Sequence, residues 1–153
     1  MTIEMEPIGF VRGGRTEPID DNWDRETCQI VLDDARFTAD SLMGLEAFSH
    51  VDVVYQFDRI EESEIVLAAR HPRGREDWPR VGIFAQRARM RPNRLGVTTC
   101  SLLGIEGLTL TVRGLDAIDG TPVLDIKPYM LGFAPRGEVG EPTWATELMA
   151  DYW

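Results

Sequence analysis

The sequence predicts a mainly β protein, a small barrel or sandwich with one or two short helices. Three observations support this fold class. Short segments rich in β-branched and aromatic residues recur along the chain, and turn signals such as Asp119-Gly120 separate them. Strands do not alternate with long helical segments, which argues against a doubly wound sheet. The length of 153 residues suits one compact domain with one core.

The first part of the chain predicts three strands and one helix. Ile8–Val11 is a short apolar run, and Cys28–Leu32 is rich in β-forming residues after the polar loop 12–27. Thr38–Phe48 predicts a short helix, because its large apolar side chains recur at helical spacing. Val51–Phe57 is β-branched and aromatic, which is typical of a strand buried on both faces.

The middle of the chain predicts further short strands. Ile65–Ala69 and Val81–Ala85 flank a segment that the dipeptides His71-Pro72 and Trp78-Pro79 keep extended or looped. Val97–Glu106 and Leu108–Leu115 predict a hairpin around the turn at Glu106-Gly107.

The last part of the chain predicts one strand and a terminal helix. Val123–Ile126 is the strand, and Ala145–Tyr152 is the helix, with Thr143 as its cap. No glycine-rich loop lies between a strand and a long helix, so a Rossmann nucleotide site is not supported.

Charge is distributed unevenly along the chain. The net charge is −10, yet residues 70–94 contain eight arginines and two acids, a local charge of +6. The negative net charge argues against a protein that coats nucleic acid without specificity, while the cationic segment 70–94 suggests local capture of an anion. A solvated arginine-rich loop balanced by nearby carboxylates explains the same pattern.

The rest of the composition indicates where the protein is located and whether it binds a metal. No apolar run approaches the ~18 residues that a membrane helix needs, and the N-terminus is acidic without a signal-peptide core. Cys28 and Cys100 are expected to be reduced, buried thiols of a cytoplasmic protein. With only two histidines, His50 and His71, no metal site is expected.

Two segments combine residues that can carry chemistry. Phe84–Gly96 follows a strand and contains four arginines, whose guanidinium forks suit carboxylates, phosphates or base edges. Arg87 and Arg91 can equally pair with acids across a barrel rim, with Asn93 as a turn former.

The second segment, residues 115–129, contains three carboxylates, the only lysine and a tyrosine. If the chain is extended there, Asp125 and Lys127 share a face with their Cα atoms about 7 Å apart. The alternatives are a reactive pair or a structural ion pair beside an Asp-Gly turn.

Together these segments resemble the TsaA-like/TrmO family. The likeness rests on residues 81–87, 91–93, 115–116 and above all 119–129, which read Asp-Gly-Thr-Pro-Val-Leu-Asp-Ile-Lys-Pro-Tyr. Residues 7–11, 44–51 and 71–74 support it. The likeness runs from about residue 6 to 130, so we expect one domain over 1–153, with 131–153 as a tail containing a possible short helix.

The resemblance implies a β-barrel methyltransferase that uses S-adenosylmethionine. Better-known members act as homodimers on N6 of threonylcarbamoyladenosine at tRNA position 37. Asp125 and Tyr129 are then the candidate base or acceptor-orienting groups, and Lys127 the group that orients Asp125. The candidate cofactor-binding residues lie in both segments: Phe84, Arg87, Arg91, Asn93, Leu115, Asp116, Asp119, Gly120, Thr121 and Pro122.

The chain departs from the family pattern in the first segment. The family loop usually reads Arg-Pro-Asn-Pro-Ile-Gly, whereas here Arg94 replaces the second proline.

Two alternative functions stay open. The first is methylation of a small molecule, and the second is a non-catalytic module that binds S-adenosylmethionine or RNA. Trp78 is expected either to stack on an RNA base or to pack beneath its loop.

Overall fold

A closed antiparallel barrel dominates the structure, a computed structural model that describes all residues from Met1 to Trp153. Its strands run in the order β1-β2-β7-β6-β3-β8, and β4 and β5 form a separate two-stranded sheet. The strands are β1 Gly9–Arg12, β2 Thr27–Leu32, β3 His50–Gln56, β4 Ala69–Arg70, β5 Val81–Gly82, β6 Leu95–Glu106, β7 Thr109–Arg113 and β8 Pro122–Pro128. The expected mainly β barrel is therefore confirmed.

Alternation along the strands places the core inside the barrel. In β3, Val51, Val53 and Tyr55 point inward and are at most 1% exposed, while the residues between them are half-buried. The prediction that this strand is buried on both faces is wrong, because a barrel strand has only one inner face. Each such buried aliphatic side chain stabilises the fold by about 1.5–3 kcal/mol.

Four local predictions also differ from the structure. The segment 38–48 forms two 3-10 turns, Ala39–Leu42 and Leu45–Ala47, because Gly44 between them has a φ of 87° that no helix allows. Of the expected strand Ile65–Ala69, only its last residue enters β4. Of the expected strand Val81–Ala85, only the first two residues form β5, because Ile83–Ala85 is a 3-10 turn. The terminal helix, α1, is Thr143–Leu148, and Pro142 rather than Thr143 occupies its N-cap.

Connectivity gathers three loops at one end of the barrel. Residues 13–26 join β1 to β2, residues 57–94 join β3 to β6, and residues 114–121 join β7 to β8. Because all these strand pairs are antiparallel within one closed sheet, the three loops lie at the same end, which we call the loop end. No helix has the length and apolar character required to span a membrane.

The reactivity of the two cysteines reports on the packing of the barrel. Both thiols are buried and unpaired, and burial raises the pKa of Cys28 to about 11 and that of Cys100 to about 12. At pH 8 at most about one thiol in a thousand is then a thiolate, the reactive form. We expect both cysteines to resist Ellman's reagent at pH 8 in the native protein and to react at once in denaturant. Reaction of the native protein at the rate of a free thiol would contradict this packing.

Candidate functional site

Arg59 ties the three loops of the loop end together. Its guanidinium donates hydrogen bonds to the carbonyl oxygens of Thr16 and Asp119, both at 3.2 Å. The backbone N–H of Gly13 also donates to the Asp119 side chain at 2.8 Å. Arg59 has no local sequence signal, because it is a single arginine after a strand and its partners lie 43 and 60 residues away.

The segment 115–122 forms the base of this end. Leu115 and Thr121 are 1% and 4% exposed, and Pro122 is also buried. Gly120 has a φ of 86°, which favours glycine, and its N–H donates to the carbonyl oxygen of Val11 at 2.8 Å. These predicted cofactor residues therefore attach the loop to the barrel. Asp119 contacts the other two loops of this end, through its carboxylate and its carbonyl oxygen.

Asp116 is held by hydroxyl groups from three sides. Tyr55 of β3 donates to its Oδ1 at 2.8 Å, and Thr98 of β6 donates to the same oxygen. Tyr152, near the end of the chain, donates to Oδ2. Since Tyr55 and Thr98 are only 1% and 5% exposed, two of these three donors belong to the barrel core.

The arginine-rich loop carries the other predicted cofactor residues. Arg87 donates to the carbonyl oxygen of Val97 at 2.6 Å, and Arg91 donates to that of Gln86 at 2.7 Å. Phe84 is 77% exposed, so its ring is available to a ligand.

Backbone conformation distinguishes this loop from the family pattern. Asn93 and Arg94 both adopt positive φ values, 61° and 54°. A proline ring holds φ near −65°, so a proline at position 94 cannot adopt this backbone. The Arg94 side chain also donates to the carbonyl oxygen of Ile60 at 2.5 Å, which joins the loop to the segment after β3.

Most guanidinium groups of the cationic segment keep their charge uncompensated. Arg73 pairs with Asp21 at 2.8 Å and Arg75 pairs with Asp77. Four others donate to backbone carbonyl oxygens at distances between 2.5 and 2.9 Å: Arg87, Arg89, Arg91 and Arg94. A carbonyl orients a guanidinium without neutralising it, so the segment retains a positive charge that can attract an anion.

Asp125 and Lys127 form an ion pair on the outer face of β8. The Lys127 Nζ lies 2.7 Å from Asp125 Oδ2, as the spacing predicted, and the side chains are 66% and 46% exposed. The hydrogen bond from the Lys127 ammonium to the Asp125 carboxylate raises the lysine pKa. Tyr129 follows β8, and its N–H donates to the carbonyl oxygen of His50 at 3.0 Å.

The sheet register relates this pair to the arginine-rich loop. Val97, Val54 and Asp125 occupy one row across β6, β3 and β8, with neighbouring strands about 4.8 Å apart. Since Arg87 contacts the carbonyl of Val97, the row connects that loop with the ion pair through one residue of β3.

The predicted site residues thus form two groups, one at the loop end and one along the outer face of β8. Trp78 joins neither group. It is 4% exposed, with Arg75 at 3.9 Å over its ring and its indole N–H donating to Glu147 at 2.7 Å. The expectation that it presents a surface for base stacking is therefore wrong, and packing beneath its loop is correct.

Comparison with known proteins extends these findings. The sequence profile of the tRNA-methyltransferase O N-terminal domain matches residues 14–133. A human protein named tRNA (adenine(37)-N6)-methyltransferase is 39% identical over 102 residues, which are 67% of this chain and 23% of that protein. A probable S-adenosyl-L-methionine-binding protein of Methanothermobacter thermautotrophicus is 38% identical over 133 residues, 84% of this chain and 91% of that protein.

A solved structure shares the fold. The crystal structure of TrmO from Pseudomonas aeruginosa superposes with a TM-score of 0.75 at 30% identity, over 94% of this chain and 62% of that one. The chain therefore spans less than a quarter of the human relative and less than two thirds of the bacterial one. Because the profile covers most of the sequence and the barrel is shared, the protein belongs to the tRNA-methyltransferase O N-terminal domain family.

Proposed function

We propose that the protein is an S-adenosylmethionine-dependent methyltransferase that modifies N6 of threonylcarbamoyladenosine at position 37 of tRNA. The observation that carries the proposal is the set of uncompensated guanidinium groups at the loop end, in a chain of this family. Names of relatives agree with it, since they include tRNA (adenine(37)-N6)-methyltransferase and S-adenosyl-L-methionine-binding protein. The site of action is the cytoplasm, where tRNA is available.

The residues of the loop end suit the parts of this cofactor. The guanidinium groups of Arg87 and Arg91 can bind the carboxylate of its methionine part, with Asn93 beside them. The exposed ring of Phe84 offers a stacking surface for adenine. Asp116 and Asp119 supply carboxylate oxygens for ribose hydroxyls, on the base that Leu115, Gly120, Thr121 and Pro122 form. When bound, the cofactor supplies an electrophilic methyl group on sulfur.

The outer face of β8 supplies the acid–base groups. Asp125 accepts the proton of the acceptor N–H, or orients that group, while the Lys127 ammonium at 2.7 Å holds the carboxylate in one direction. The hydroxyl of Tyr129 orients the acceptor. Holding the acceptor nitrogen in line with the methyl group accounts for most of the acceleration.

A homodimer is part of the proposal. Directly after β8, the side chains of Met130, Leu131 and Phe133 are 45%, 89% and 81% exposed. A second copy of the chain that covered these apolar groups would remove them from water.

Two other functions retain some support. The net charge of −10 favours a small acceptor molecule over a polyanion. The changed loop, with Arg94 at a φ of 54°, favours a module that binds the cofactor without catalysis.

Calorimetric titration with S-adenosylmethionine and its demethylated product tests the proposal. We expect stoichiometric binding to the wild-type protein and binding weakened about tenfold in Arg87→Ala, the loss of one charge-assisted contact. Arg80→Ala is the matched control, because Arg80 is exposed and pairs with no carboxylate. Absence of cofactor binding by the folded wild-type protein would overturn the proposal.

Binding of tRNA then separates the acceptors. We expect salt-sensitive binding of unmethylated tRNA and methyl transfer to it. Transfer to a small molecule alone, or cofactor binding without turnover on any tRNA, would favour one of the alternatives.

A further inference from the structure

The last eleven residues pack against the loop end and do not trail into solvent. After α1, the carbonyl oxygens of residues 151–153 accept hydrogen bonds from the N–H groups of residues 22–24, at 2.8, 3.0 and 3.1 Å in chain order. This short ladder attaches the end of the chain to the loop between β1 and β2. The attached residues lie beyond 133, where the family match ends.

Two side chains fasten the same segment at separate points. Glu147 accepts a hydrogen bond from the indole N–H of the buried Trp78 at 2.7 Å. Tyr152 donates its hydroxyl to Asp116 Oδ2, and the guanidinium of Arg73 lies 6.0 Å from its ring centre. The Glu147 contact reaches the cationic segment 70–94, whereas the Tyr152 contact reaches the loop 114–121.

The Tyr152 hydroxyl completes a set of donors around one carboxylate. Tyr55 and Thr98 bind Oδ1 of Asp116 from inside the barrel, and Tyr152 alone binds Oδ2. Burial and the charge of Asp116 raise the pKa of both tyrosines well above the usual range. Both hydroxyls therefore remain protonated donors throughout the physiological pH range, and they hold the carboxylate in one orientation.

The orientation of the Asp116 side chain also affects the loop in which the residue lies. The residue lies in the loop 114–121, where Asp116, Asp119 and Gly120 are half-buried and the residues around them are mostly buried. We propose that Tyr152 is a positioning residue of the cofactor site, which orients the Asp116 carboxylate and with it this loop for the ribose of S-adenosylmethionine. The segment after residue 133 is then part of the site. The inference rests on the proposed function.

Calorimetry on the full chain tests the inference with Tyr152→Phe, which removes only the hydroxyl. We expect about tenfold weaker binding of S-adenosylmethionine, the size of one lost charge-assisted hydrogen bond. Glu147→Ala is the control, because it releases the other anchor of the same segment without touching Asp116. Its cofactor affinity is expected to stay within about twofold of the wild type, a change too small to represent a lost hydrogen bond.

A double variant separates positioning from general support. If Tyr152 acts through Asp116, then Asp116→Asn combined with Tyr152→Phe loses no more affinity than Asp116→Asn alone. Should Tyr152→Phe fail to fold, Thr98→Val removes another donor from the same carboxylate at equal volume and is expected to weaken binding likewise.

The outcomes are distinguishable. A wild-type protein that does not bind the cofactor overturns the proposed function, and the inference with it. A wild-type protein that binds, with unchanged affinity in folded Tyr152→Phe, overturns the inference alone. Equal losses in Tyr152→Phe and Glu147→Ala, or additive losses in the double variant, also overturn it, because they would indicate only a structural role for the segment.

Discussion

Asp125→Asn is expected to lower the rate of methyl transfer by about 100-fold or more, the size of a general-base contribution, while cofactor affinity stays unchanged. The amide keeps the volume of the side chain and its place in β8, but it cannot accept a proton at neutral pH. It also removes the charge that Lys127 faces at 2.7 Å. Single-turnover methylation with saturating cofactor measures the rate, and calorimetry measures the affinity.

Asp52→Asn is the matched control for this prediction. Asp52 lies on the neighbouring strand β3, opposite Lys127 in the register, and its carboxylate accepts a hydrogen bond from Thr99. The two variants therefore make the same change of charge on the same outer face. Equal rates for Asp125→Asn and the wild type would exclude the base role. Equal losses in both variants would assign the effect to the charge of the face, not to Asp125.

Gly96→Ala is expected to destabilise the fold by about 3 kcal/mol, the upper range for an overpacked core. A Cβ atom at this position would lie 2.5 Å from the ring atoms Cε2 and Cζ of Tyr55, and 2.9 Å from its hydroxyl oxygen. The ring is 1% exposed and cannot move without disturbing the core. Because the same hydroxyl holds Asp116, we also expect weaker cofactor binding in any protein that remains folded.

Denaturant unfolding measures the stability of this variant, with Gly104→Ala as its control. Gly104 lies in the same strand, is exposed, and has nothing within 4 Å of the position that a Cβ would occupy. Midpoints that agree between Gly96→Ala and the wild type would show that the ring of Tyr55 does not pack against this backbone as described.

Local sequence was sufficient for the parts of the protein that depend on nearest neighbours. Alternation of apolar residues and the Glu106-Gly107 turn predict the strands β6 and β7, because period and turn chemistry act within a few residues. The ion pair between Asp125 and Lys127 follows from a spacing of two along a strand. Where a local pattern failed, as in the expected helix 38–48, a glycine at positive φ changed the backbone.

Local residue patterns therefore determined the fold class and the family motif at 119–129, whereas the roles of the candidate site residues stay predictions. Only the tertiary structure decided that Arg59 joins three loops, that Trp78 is buried, and that Tyr152 contacts Asp116. The physical reason is closure of the barrel, which brings together groups 60 residues apart in the first case and 36 in the last. Such contacts depend on how loops and tail pack at one end of the sheet, and no periodicity within a segment encodes that packing.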